Sequence, residues 1–275
     1  MSRETYSEQL AKRKRELRSV MGRFDRIEIE IGDALYPEQL LRLDEPPARL
    51  YAIGDIDALK GPCVAVTGTR TPTGYGEEAS KLAAKAAAER GAVIVTGGAI
   101  GCEAAAAAEA LSRGARHVAV LGCGVDVPYP ASNYDLFAKT LETGGAVVSP
   151  YPWGQQPRRH AFAARWKVAA GLSDCLVVTE AGIPSGTFYA MTEAKDARCD
   201  VLVVPGPIFS PRSQGANEFI AEGFRCVPSP ADMHRLISES LRSESRGNVG
   251  LDELAIQCSY ERGSGASPTR SEGAR

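Results

Sequence analysis

The chain has few of the signals that mark most enzymes. It carries three histidines in 275 residues, and none stands in a nucleophile–base arrangement. HExxH, GxSxG and the phosphate-binding GxxxxGK[ST] are missing, which argues against zinc proteolysis, α/β-hydrolase chemistry and ATP hydrolysis. Its seven cysteines, Cys63, Cys102, Cys123, Cys175, Cys199, Cys226 and Cys258, form no CxxC pair and have no metal-ligand spacing. They read as reduced, mostly buried small hydrophobes in a cytoplasmic protein. No apolar run approaches the roughly 18 residues that a membrane span needs, and the polar, basic start has no secretory core. Charge of one sign is not in excess: 32 Lys and Arg against 34 Asp and Glu leave a net −2. That excludes holding a polyanion by bulk charge, though not by a local basic groove.

What is present is an alternation. Short, nearly continuous apolar runs lie at Cys63 to Thr67, Ala92 to Thr96, His117 to Leu121 and Cys175 to Thr179, with weaker ones at Ala146 to Ser149 and Val201 to Val204. Strands covered on both faces read this way. Helical patterns separate them: Gly76 to Arg90 with Gly91 placed to end it, Glu103 to Arg113, Ala131 to Thr143 and Gly186 to Ala197. The expected fold is α/β, a doubly wound parallel sheet with right-handed crossovers. Composition divides the chain into a charged, helical amino-terminal extension over 1–35, the α/β domain over 36–240 and a disordered Ser/Gly-rich tail over 241–275. Lys12 to Arg18 read as part of a solvated helix, and Tyr36 to Gly54 as a Pro-containing lead-in to the sheet.

Ligands of such sheets bind at the carboxyl ends of the strands, and the glycines fall there. Gly68, Thr69 and Arg70 follow the first strong strand. Glycine permits close approach, hydroxyl and amides bond phosphate oxygens, and a guanidinium grips with two donors. Gly97, Gly98 and Gly101 follow the second and bring amides to a helix start; Glu103 there either answers the helix dipole or bonds a sugar or base. Arg165 and Lys167 stand on a helix beside a loop carrying Tyr151, Trp153, Arg158, Arg159 and His160, an interleaving of cations and aromatics that suits single strands. Trp166, between the two cations, reads as core. Ser185, Gly186 and Thr187 offer donors at another helix start. Glu180 is open to two readings, a ribose or acid–base group and a buried carboxylate tying neighbouring loops.

In order, YPEQLLRLDEPPARLYAIGD, VAVTGTRTPTGYG, VIVTGGAIGCEAAAAAEAL, HVAVLGCGVDVPYPASN, VVSPYP, FAARWKVAAGLSDCLVVTEAGIPSGT, VLVVPGPI and SQGANEFIAEG resemble the DprA/Smf DNA-processing proteins of bacterial transformation. The resemblance runs from about residue 36 to 228. It implies an extended Rossmann-like fold that binds single-stranded DNA without turnover, delivers it to the RecA recombinase and forms a homodimer, with no cofactor, metal or membrane. By position, Arg70 resembles the family's phosphate-gripping arginine, Arg165 and Lys167 the outer residues of its RNR-type motif, and Ser185 to Thr187 its Ser-Gly loop. Four positions depart from the pattern: Ile100 for arginine, Glu103 for aspartate, Ala107 for histidine and Trp166 for asparagine. One positive contact is thereby lost from the groove. The family's amino-terminal helical domain is expected to be incomplete and its carboxyl-terminal winged helix absent. A second class of reading is a nucleotide enzyme resembling the phosphoribohydrolases. Their PGGxGTxxE places glutamate three residues after threonine, whereas here Glu193 follows Thr187 several residues too late. A nucleotide sensor without turnover is the third.

Overall fold

A computed structural model describes residues 5–242. The tail beyond, with Cys258, lies outside the described residues. Nine strands form one sheet: β1 Ile27–Glu30, β2 Arg49–Gly54, β3 Cys63–Thr67, β4 Val93–Thr96, β5 His117–Val120, β6 Ala146–Ser149, β7 Cys175–Val178, β8 Asp200–Val203 and β9 Arg225–Cys226. Eight α-helices accompany them: α1 Tyr6–Met21, α2 Gly74–Ala88, α3 Cys102–Ser112, α4 Tyr134–Glu142, α5 Arg159–Leu172, α6 Thr187–Asp196, α7 Gln214–Ala221 and α8 Pro230–Arg242.

The sheet order is β1-β2-β6-β5-β4-β3-β7-β8-β9. From β6 to β9 every pairing is parallel, as strands buried on both faces require. In β3, Cys63 and Ala65 face a core with Trp166, Val168 and Met191, while Val64 and Val66 face Ala83, Ala106 and Met233. Helices α5, α6 and α7 therefore cover one face, and α2, α3 and α8 the other. The chain winds outward from β3 through β6, then returns to lay β7 against the other side of β3. The β3/β7 boundary is the switch point of the winding, where a crevice opens beyond the strand ends.

Two expectations need amending. The sheet is mixed, because β1 pairs antiparallel with β2 and β2 antiparallel with β6. The lead-in at Tyr36 to Gly54 therefore ends as a sheet strand. The amino-terminal helix is also not merely solvated: Leu17 and Val20 pack with Phe137 and Leu141 of α4. A capping box between Thr5 and Glu8 starts that helix.

Candidate nucleic-acid interface

Loops from four strands meet at the carboxyl end of the sheet. The turn after β3 is fixed from both sides: the Thr69 amide donates to the Glu180 carbonyl (2.7 Å), and the Cys102 amide donates to the Thr69 carbonyl (3.1 Å). A side chain at 68 would overlap Cys102 and Thr179, and one at 101 would overlap the Thr69–Arg70 backbone. Gly101, at φ +82°, also holds a conformation that L side chains disfavour. These glycines thus let the loops pack on each other, which leaves Arg70 at the exposed rim.

Arg70 places its guanidinium 5.8 Å from the centre of the Phe162 ring, within cation–π range. Phe162 in turn lies 5.4 Å from Tyr129. With Ala99, Ile100, Pro130 and Arg165 these residues line a small pocket of about 50 Å3. A larger concavity of about 470 Å3 is lined by Gly91, Arg113, Gly114 and Arg116. It lies at the opposite end of the sheet, where the helices turn their negative dipole ends, and so does not suit an anion.

Arg165 occupies a different environment from the groove position expected of it. It is 3% exposed, because its guanidinium turns inward, lies against Gly97 and pairs with Glu103 at 3.5 Å. Burial pulls the Arg165 guanidinium down from its ordinary value, Glu103 opposes that shift and Arg70 adds to it. Glu103 also accepts from the Ala99 amide at 3.0 Å. It therefore braces the glycine loop and neutralises Arg165, beyond any role in the helix dipole. Lys167 does not share this pocket: its ammonium reaches Glu45 at 3.2 Å. Two residues apart on a helix, Arg165 and Lys167 point to different sides. Trp166 is core, as expected.

The other candidates sort by their partners. Glu180, 4% exposed, accepts from the Thr73 amide (2.8 Å) and the Thr73 hydroxyl (2.7 Å). It is the buried carboxylate that ties two loops, with both oxygens engaged. Ser185 accepts from the Thr187 amide (3.1 Å) and bonds its hydroxyl (2.9 Å), while Gly186 faces open space. Arg158, Arg159 and His160 are exposed. Trp153, by contrast, donates to Glu28 at 2.8 Å and stands edge-on to Tyr51, so it belongs to the β1–β2 edge.

Sequence reasoning missed three supporting groups. Asn133 donates to the Gly98 carbonyl at 3.0 Å. Buried His117 joins Thr96 (2.9 Å) and Thr140 (2.7 Å). Tyr129 completes the aromatic pair. All three lie in the stretch HVAVLGCGVDVPYPASN, but their supporting contacts are reached only through the fold.

The profile of the DNA recombination-mediator protein A family matches residues 28–238. The chain belongs to this family. It is 34% identical over 205 residues to the Smf protein of Escherichia coli, covering 74% of this chain and 55% of that one. It is 35% identical over 203 residues to the DNA processing protein DprA of Streptococcus pneumoniae, covering 74% and 71%. The chain spans about half the length of several curated relatives it matches. Among solved structures, S. pneumoniae DprA superposes with a TM-score of 0.69 at 34% identity, covering 78% of this chain and 75% of that one. DNA processing protein A of Helicobacter pylori, described for its unique single-stranded DNA binding mode, gives 0.70 at 28%, covering 78% and 97%. The fold is thus the Rossmann-like fold of DprA proteins.

Proposed function

We propose that this protein binds single-stranded DNA along the carboxyl end of its parallel sheet and passes it to a RecA-type recombinase during DNA uptake. It acts by binding, without turnover, as a cytoplasmic homodimer. The observation that carries this reading is the exposed Arg70 guanidinium set over Phe162, at the switch point of the sheet. Arg70 takes a phosphate, with the backbone of Gly68 and Thr69 beside it. Phe162 backs the Arg70 guanidinium, and the exposed Tyr129 beside it offers a ring to a base; such stacking tolerates any sequence.

Gly97, Gly98 and Gly101 shape the second wall. Ser185 and Thr187, bonded to each other, hold the turn that presents Gly186 on the far side of the crevice, and Lys167 meets a phosphate further along α5. Arg165 is a positioning residue: through Glu103 and Gly97 it holds the floor on which Phe162 and Arg70 sit. Residues 36–240 form the DNA-binding domain in this account.

Fluorescence anisotropy with labelled oligo-dT and the matching duplex at low salt tests the proposal. Binding of dT at least tenfold tighter than the duplex is expected. Equal binding of both, or none, contradicts it.

A further inference from the structure

Eleven large apolar side chains are exposed among the described residues, and four of them, Tyr6, Ile31, Leu35 and Leu41, lie away from the crevice. The remaining seven all follow the carboxyl ends of parallel strands. The two most exposed of all are neighbours, Ile208 at 77% and Phe209 at 93%, in the loop between β8 and α7. The Phe209 ring is thus free to meet a partner that approaches the carboxyl end of the sheet.

The loop that carries it is braced rather than slack. Tyr75 donates to the Pro205 carbonyl at 2.6 Å. Asn217 clamps Gly206 by two reciprocal bonds, both 3.0 Å. The Ser210 amide bonds Pro207, and the Ser213 amide bonds Ser210. The loop is also joined to the Arg70 turn through two adjacent residues. Glu180 accepts from the Thr69 amide, and Ala181 accepts from the Ala216 amide at 3.1 Å. One short segment after β7 thus sets the spacing between Arg70 and the loop that carries Phe209.

We infer that Phe209 is a second stacking platform, on which a base further along the same single strand rests, with exposed Arg212 meeting the adjoining phosphate. This rests on the reading of the crevice as a single-strand site. Two side chains fall far short of the roughly 800 Å2 per partner that a stable protein interface buries, whereas one ring face is the size of one base. An exposed cation three residues from an exposed aromatic on one loop is also a combination that single strands use.

The test is a dT length series measured by anisotropy on the full chain, wild type against Phe209→Ala and Phe209→Tyr. The shortest dT that the Arg70–Phe162 pocket holds is expected to bind wild type and Phe209→Ala alike. Longer dT is expected to gain about tenfold on wild type and on Phe209→Tyr, but not on Phe209→Ala. Equal gains on all three overturn the inference while leaving the crevice reading intact. So does a Phe209→Ala protein that keeps the gain but loses self-association in light scattering, which would make a second copy the occupant. Failure of wild type to bind dT of any length overturns both readings together.

Discussion

Arg70 and Arg165 approach the same phenyl ring, at 5.8 and 5.4 Å, from opposite states of solvation. Arg70 keeps its water and is available to a phosphate. Arg165 has lost its water, and Glu103 supplies the counter-charge that compensates it in the interior. A buried pair of this kind adds little against an apolar substitute, but breaking it strands an uncompensated charge. Glu103→Ala is accordingly expected to cost about 3–5 kcal/mol in urea unfolding, while Arg70→Ala, at an exposed site, changes stability by less than about 0.5 kcal/mol. A loss below about 1 kcal/mol for Glu103→Ala would show that the pair does not brace the loop. The sequence named both arginines, yet it gave no sign of which one was buried. Arg165 reads as a surface cation until Glu103, far upstream in the chain, is brought beneath it. Sequence reading put Arg165 and Lys167 at one site, although residues two apart on a helix do not share a face.

At the scale of elements, the glycine loop after β4 hangs on a polar relay across two strands and a helix. The Thr140 hydroxyl donates to the Leu136 carbonyl at 2.8 Å, so it accepts from His117 Nδ1. His117 Nε2 then accepts from Thr96, whose oxygen receives the Gly98 amide at 3.1 Å. Only the neutral ring fits this pattern, and full burial pushes the His117 pKa down to about 3. In the unfolded chain the ring titrates near its ordinary 6.5. The unfolded state therefore binds more protons between those values, and stability falls as pH drops. The slope approaches about 1.4 kcal/mol per pH unit well below 6.5, and the loss between pH 7 and 5.5 is about 1 kcal/mol. Urea unfolding between pH 7 and 5.5 should show it in wild type and not in His117→Gln. An unchanged slope in the variant would assign the effect elsewhere.

Strands β3 to β8 were legible because each is a short, largely apolar run. Strands β1 and β2 and the two-residue β9, Arg225–Cys226, were not. IEIE exposes alternate glutamates, and the Pro-rich stretch before Arg49 hides the β2 start. Helices α2, α3, α4 and α6 were legible to within a few residues, since alanine stripes and Gly91 mark them, whereas α7 Gln214–Ala221 and α8 Pro230–Arg242 went unread. Helix α1 shows only Leu17 and Val20 as buried, too narrow a stripe to announce its packing on α4.

For the molecule as a whole, a net charge of −2 leaves no bulk attraction for DNA, so affinity has to come from a few local contacts. Ile100, exposed at the pocket mouth, brings no charge to the groove. If Arg70, Lys167 and one neighbouring cation meet phosphates, log affinity should fall against log salt with a slope of about −2, at roughly −0.7 per contact. A slope steeper than about −4 would require a basic surface that the fold does not place at the crevice. The winding of the sheet makes a sharper distinction. Arg70 stands at the carboxyl end of the strands, while Arg116 lines the larger concavity at the amino end.

The most direct measurement is the affinity of oligo-dT for wild type, Arg70→Ala and Arg116→Ala in one buffer. The expected loss is about 1–3 kcal/mol for Arg70→Ala and none for Arg116→Ala. Unchanged affinity in Arg70→Ala, or an equal loss in Arg116→Ala, would contradict a single-strand site at the carboxyl end of the sheet.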